Sequence, residues 1–294
     1  MNKKNKFIIA TALIYLLSLP SVSFSEVTNR STKKHSGLYI SGQYKPSVSV
    51  FSSFSIKETN AITKNLIALK KEVDSLAVDA TANSGISKPG NFTMPYIAAF
   101  EDNAFNFNGA IGYTFTEGPR IEIEGFHEEF DAKNPGGYGL NDAFRYFALA
   151  RDMSATQNKF EPKDQSSSKV FHTVMRNDGL SIISIMVNSC YDFSSDNLLV
   201  SPYICGGIGV DAIEFFDALH IKLACQGKLG ITYQLSYNIS LFADGYYHQV
   251  IGNQFRNLNV QHVAELNDAP KVTSAVATLN VGYFGAEVGV RFIF

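Results

Sequence analysis

The sequence predicts an all-β chain: a transmembrane antiparallel β-barrel of eight strands with long extracellular loops. Three observations predict it. The last segment alternates to its final residue, with Phe284, Ala286, Val288, Val290, Phe292 and Phe294 on one face and Gly285, Glu287, Gly289 and Arg291 on the other. A strand of about ten residues, apolar on one side and small or polar on the other, has the dimensions of a stave in a bilayer barrel. The connections between such segments run short, long, short, long, a sorting that a soluble sandwich has no reason to show. Finally, a basic and apolar leader opens the chain, and no later apolar run is long enough to cross a bilayer as a helix.

The leader places Lys3, Lys4 and Lys6 before an apolar run from Phe7 to Leu19, then Pro20 and the small residues Ser21, Ser23 and Ser25. The run falls short of the ~20 residues of a membrane span. It reads as a secretory signal over residues 1–25, cut after Ser25, leaving 26–294 as one mature domain bound for a bacterial outer membrane.

Eight segments with period-two alternation follow. The first, Gly37 to Val50, sets Leu38, Ile40, Tyr44, Val48 and Val50 against Tyr39, Ser41, Gln43, Lys45, Ser47 and Ser49. The second, Asn103 to Phe115, sets Phe105, Phe107, Ile111, Tyr113 and Phe115 against polar and small residues, and a Thr116–Pro119 turn leads to the third, Arg120 to Phe130. The fourth and fifth, Leu180 to Tyr191 and Leu198 to Val210, flank a turn over Asp192 to Asn197. The sixth runs from Leu223 to Leu235 and the seventh from Ile239 to Tyr247, across Ser236-Tyr237-Asn238. The eighth, Ala275 to Phe294, slips phase near Gly282 to Gly285, which marks a bulge or a change of environment. The long connections are Phe51–Asp102, Asp131–Lys169, Asp211–Lys222 and Gln249–Thr273. In the first of them, Ile62, Leu66, Leu69, Val73 and Leu76 recur at helical spacing and predict a helix packed on the barrel rim, with a lid or plug over the mouth or a host-facing contact surface as alternatives; Asn141 to Arg151 predicts a shorter one.

Composition fits a barrel that dilutes its lipid-facing residues. The chain is 45% hydrophobic and 18% charged, with mean hydropathy of −0.02. Trp is absent, so any interfacial aromatic girdle is built from Tyr and Phe. Removing the leader, with three lysines and no acids, from a chain of net charge −2 leaves −5. With no Lys/Arg stripe to neutralise phosphates, a nucleic-acid partner is not expected.

No constellation for enzyme chemistry stands out. The histidines, His35, His127, His172, His220, His248 and His262, lack metal-ligand spacing. Ser166 to Ser168 with His172 is the one close nucleophile-and-base set, and it lies in a serine-rich loop where solvated side chains are the default. Gly206-Gly207-Ile208-Gly209 precedes no helix pattern and reads as relief of crowding in a curved strand, so no cofactor is expected. Cys190, Cys205 and Cys225 fall inside strands; in the predicted register no two stand opposite, and free thiols are expected, an intermolecular bridge being the alternative.

The inward faces carry both signs of charge: Lys45, Arg120, Lys228 and Arg291 with Glu122, Glu124 and Glu287. An eight-stranded interior is about filled by side chains, so these groups predict a buried ion-pair network, and a wide channel would need more strands or a homo-oligomer. The outward-facing terminal pair Phe292 and Phe294 is the expected tag for the outer-membrane assembly machinery.

Several stretches carry a resemblance: Pro119-Arg-Ile-Glu-Ile-Glu124, Asn134-Pro-Gly-Gly137, Asn177-Asp-Gly-Leu-Ser-Ile182, Ser201-Pro-Tyr-Ile-Cys-Gly-Gly-Ile-Gly209, Gln226-Gly-Lys-Leu-Gly-Ile231, Val250-Ile-Gly-Asn-Gln-Phe-Arg256 and the C-terminal Phe284–Phe294. Together they are similar to the major surface antigens of Ehrlichia and Anaplasma outer membranes. The resemblance implies an abundant, immunodominant outer-membrane barrel of a tick-borne intracellular bacterium, with porin activity attributed to some members. It implies sequence variation in the exposed loops, where host surface molecules and antibodies would make contact. Relatives often carry Cys where this chain has Phe147 and Gly282, which removes a bridge through those positions. The expected function is a passive diffusion porin, with a non-conducting structural or adhesive barrel as the competing class and an outer-membrane hydrolase behind both.

Overall fold

A computed structural model describes residues 36–294 apart from 60–61, 78–84, 87, 117, 151–152, 155–160, 163–171, 194–199 and 264–273. The leader over 1–25 and the Ser166–Ser168 cluster lie outside the described residues. Among the described residues no helix is long and apolar enough to cross a membrane.

Eight antiparallel strands close into a barrel: β1 (Gly37–Tyr44), β2 (Phe107–Thr114), β3 (Pro119–Phe130), β4 (Leu180–Asp192), β5 (Val200–Phe215), β6 (Ala218–Ser236), β7 (Ile239–Val250) and β8 (Gly282–Ile293). Each strand pairs with the next, and β8 pairs back with β1, so no hydrogen-bonding edge faces lipid. Following paired residues once around, from Tyr39 through Gly112, Glu122, Asn188, Gly207, Gln226, His248 and Tyr283, the path returns at Ser49, ten residues further along the chain. That stagger is what tilts the staves by roughly 35–45° and fixes so narrow a bore.

The predicted facing is found throughout. Leu38, Ile111, Ile123, Ile185, Ile208, Leu229, Ile231 and Val288 stand exposed on the outer wall, while their chain neighbours turn inward. Near the end that carries the short turns, Tyr113, Phe115, Tyr191, Phe193, Tyr233, Tyr237, Phe292 and Phe294 form the Trp-free girdle. The first predicted strand is interrupted at Lys45-Pro46; Pro46 has no N–H to give the ladder, and pairing with β8 resumes over Ser47–Ser49.

Four expectations need correction. The eighth segment is two strands in different sheets, Ser274–Asn280 outside the barrel and β8 within it, which explains the phase slip. The third long loop is absent: β5 and β6 run on to a two-residue turn at Phe216 and Asp217, both at positive φ, 51° and 54°. Such a turn matches strand twist, and burial of the Phe216 ring holds a side chain where Gly is commoner. The predicted helix over Ile62–Leu76 is instead a strand, Asn65–Leu69. Ile67, Ala68 and Leu69 are buried in succession because apolar groups cover both faces of that strand, so helical spacing gave the wrong period. The helix predicted over Asn141–Arg151 is a single 3₁₀ turn, Ala143–Arg145, followed by the strand Tyr146–Ala150.

These strands belong to a cap built from the long loops. His262–Val263, His172–Arg176, Tyr146–Ala150, Asn65–Leu69 and Phe92–Pro95 make one five-stranded sheet in that order; Gln254–Asn259, Ser274–Asn280 and Ser52–Glu58 make a three-stranded one. The Thr173 hydroxyl donates to the buried Glu58 carboxylate and ties the two sheets together. One apolar core runs from the barrel rim into the cap, joining Phe130, Ile182, Ile213 and Phe215 to Ile56, Phe147, Leu149, Met175 and Phe255. The Phe147 ring stacks on Tyr96 with centroids 4.0 Å apart. The outer mouth of the barrel is therefore plugged.

Candidate functional site

Strand parity and the stagger bring the inward residues into layers. All seven predicted lumen charges, Lys45, Arg120, Glu122, Glu124, Lys228, Glu287 and Arg291, have buried side chains. At mid-height they make a closed ring. Lys45 Nζ lies 2.9 Å from Glu124 Oε1 and 2.7 Å from Glu287 Oε1, and Lys228 Nζ lies 2.7 Å from Glu124 Oε2 and 3.0 Å from Glu287 Oε2. Two cations and two carboxylates thus alternate across the bore. The remaining lone pairs of Glu124 accept from Asn108 at 2.7 Å, Asn188 at 3.0 Å and Gln226 at 2.9 Å. Lys45 Nζ also sits over the Phe126 and Tyr246 rings, 4.0 and 4.2 Å from their centroids. This degree of satisfaction is what allows full charges to stay buried.

Towards the periplasmic mouth, Tyr39 donates to Glu122 at 2.7 Å, and Arg120 Nη1 approaches Asp192 at 3.2 Å. Arg291 lies across the Tyr39 and Phe242 rings. Above the ring, just under the plug, His248 Nε2 is 2.9 Å from Asp211 Oδ2, both fully buried, and His248 stacks on Tyr283. Glu128 accepts from Ser47 at 2.6 Å and from Asn103 at 2.8 Å.

Sequence reasoning missed Asp192, Asp211, Asp244, His248 and Glu128. The sequence puts Asp211 in a loop and Asp192 in a turn, where strand parity does not apply. Glu128 shares the phase of Glu124, placed inward on β3, and Asp244 has the parity opposite to the apolar Leu241 and Ala243 on β7, so continuing the alternation finds both. The cysteines need correction too. Cys190 and Cys205 are register partners on β4 and β5 and form a disulfide; the centre of the intervening turn, which sequence alone did not fix, sets that opposition. Cys225 is free and exposed on the outer wall. Glu122 with the two bridged cysteines is a cluster of metal-ligand types among the described residues, but bridged sulfurs offer no thiolate. In the glycine run, a Cβ on Gly207 would fall 1.9 Å from Asn188 Oδ1, so that position makes room for an inward polar group.

Ring, mouth and plug leave little free volume. The cavity beneath the ring, bordered by Arg120, Glu122, Lys228, Asp244 and Arg291, is about 10 Å³. That is room for about one water.

Fold and lumen define the class: a small transmembrane β-barrel with an occluded interior and a folded extracellular cap. The family model described as surface antigen matches residues 30–294, and the chain belongs to that family. A curated relative, major surface antigen 4 of Anaplasma marginale, is 28% identical over 270 residues, covering 92% of this chain and 88% of the relative. Among solved structures, outer membrane protein OprG of Pseudomonas aeruginosa aligns at a TM-score of 0.45 with 14% identity, covering 88% of this chain and 97% of that one. Neisserial surface protein A aligns at 0.38 with 12% identity, covering 89% of this chain and all of the other.

Proposed function

We propose that the protein is an exported outer-membrane surface antigen whose barrel does not conduct as a monomer, and whose role is to anchor and present the cap to host surface molecules and antibodies. One observation carries this reading: the ring of Lys45, Glu124, Lys228 and Glu287 spans the bore, with an apolar plug above it. The passive diffusion porin that the family resemblance implies would require that ring to open, or several chains to share a channel. Residues 1–25 supply the export signal and Phe292 and Phe294 the handle for the assembly machinery; the lipid bilayer is the partner of the outer wall. No catalytic step is assigned, since the His248–Asp211 pair is sealed beneath the plug.

The mature chain refolded into liposomes tests this. The expected result is no solute-dependent swelling and no unitary conductance in planar bilayers, with binding to host cells or to conformation-specific antibodies retained. Swelling that grades with solute size would overturn the closed-barrel reading in favour of a porin.

A further inference from the structure

Four of the residues that border the small cavity beneath the ring present a buried polar atom that meets no hydrogen-bond partner: Gln43 Oε1, Arg120 Nε, Asp244 Oδ1 and Arg291 Nε. None of these residues is more than 7% exposed. Other atoms of the same groups are already engaged. Asp244 Oδ2 accepts from the Tyr203 hydroxyl, Arg120 Nη1 reaches Asp192, and the Arg291 guanidinium lies across the Tyr39 and Phe242 rings. The remaining charged groups on the cavity wall do not supply the missing bonds. Glu122 accepts from Tyr39 and Asn188 and stands 3.7 Å from Arg120 Nε, beyond hydrogen-bond reach, while Lys228 is held by Glu124 and Glu287.

Two of the four atoms donate and two accept. Each Arg Nε carries one N–H that it cannot lose, and the carboxylate and amide oxygens only accept here. Leaving such groups unmet in a buried lumen costs more than immobilising a bridging molecule. Size and charge fix what the bridge is. A space of about 10 Å³ takes about one water and excludes polyatomic ions and organic ligands. A cation would face two guanidinium N–H groups. An anion would face the Asp244 carboxylate, with Glu122 beside it, in a lumen whose buried acids already outnumber its cations. A neutral molecule with two donors and two acceptors meets all four atoms without a charge penalty.

We infer that a single water molecule is a fixed part of the barrel at this point, accepting from Arg120 Nε and Arg291 Nε and donating to Gln43 Oε1 and Asp244 Oδ1. Through it Arg291 is coupled to the Asp244 carboxylate. Gln43 stands on β1, Arg120 on β3, Asp244 on β7 and Arg291 on β8, so the bridge ties β3 and β7 to the seam where the first and last staves pair and the barrel closes.

A high-resolution crystal structure of the mature chain tests this directly. One water peak within hydrogen-bond distance of all four atoms is the expected result. A dry cavity, a direct contact between Arg291 Nε and Asp244, or an ion at that position would overturn the assignment. Magnetic relaxation dispersion of the refolded chain in detergent gives a second measurement, because it counts water molecules held longer than the protein takes to tumble. Gln43→Leu puts a branched apolar side chain into the space and removes one acceptor, so the variant is expected to hold one long-lived water fewer than wild type. Equal counts would refute the site. The crystal measurement uses wild type alone and so does not depend on the variant folding.

Discussion

The lumen of the barrel and the interior of the cap are both closed to solvent, yet opposite chemistries fill them. Between the staves the chain buries Lys45, Glu124, Lys228 and Glu287; in the core that runs into the cap it buries Phe130, Phe147, Phe215 and Met175. The difference follows from what lies outside each wall. A stave has lipid at its back, so the apolar residues must go outward, and polar residues on the other face fix which way the strand sits. A one-residue slip would carry Glu124 or Lys45 into hydrocarbon, so register is strongly specified. A cap strand such as Asn65–Leu69 has other protein on both sides, and there apolar packing on both faces supplies the stability.

Removing one member of the ring should produce the largest effect. Glu124→Ala leaves Lys45 and Lys228 with Glu287 as their shared counter-charge, and breaking a buried network of this kind costs about 3–5 kcal/mol. Equilibrium unfolding from lipid vesicles in urea would measure it; a loss under about 1 kcal/mol would mean that water enters the bore and screens the ring. Phe147→Ala deletes a fully buried ring from the plug and should cost about 3 kcal/mol, on the low side because the cap can settle into the gap. Limited proteolysis should then cut the cap strands while the barrel keeps its heat-modifiable migration on gels. Simultaneous loss of both would show that plug and barrel unfold as one unit.

The smallest change concerns the cap surface. Arg176 Nε lies 3.0 Å from Asp178, with both side chains partly exposed, so Arg176→Ala should cost no more than about 1 kcal/mol and less in high salt. Burial pushes the Asp178 carboxyl above its usual range, against the pull of Arg176 and Arg145. A carboxyl raised in the folded state favours folding most while protonated, so its contribution is lost as pH rises through that value. Arg176→Ala should steepen that loss between acid and neutral pH, measured as the cap's melting temperature; an unchanged slope would show the pair to be fully solvated.

The same comparison explains what the sequence revealed. Wherever one face met lipid, alternation was a sufficient guide: Ile111 against Ala110, Ile123 against Glu124 and Leu229 against Lys228 all stand as their parity requires. The seven inward charges could be read for that reason. In the cap, Ile67, Ala68 and Leu69 are buried without alternation, and the spacing of Ile62, Leu66 and Leu69 imitated a helix. Hairpin centres were the other blind spot. The two-residue turn at Phe216 and Asp217 carries no glycine to announce it, which puts Asp211 in a loop on sequence alone, and the Cys190–Cys205 pairing depends on a turn centre that the sequence does not fix.

The cap's make-up has an immunological consequence. Its five-stranded sheet sets Asn65–Leu69 beside Tyr146–Ala150, that beside His172–Arg176, and that beside His262–Val263, so neighbours in space come from three separate loops. The sheet itself is largely buried, so its part is to fix the spacing of the exposed segments that flank it, and a surface assembled from those segments is a mosaic that no single synthetic peptide reproduces. Sera raised against linear fragments should miss it, whereas a vaccine immunogen that keeps the staves, and so the spacing of the loops they carry, would present it whole.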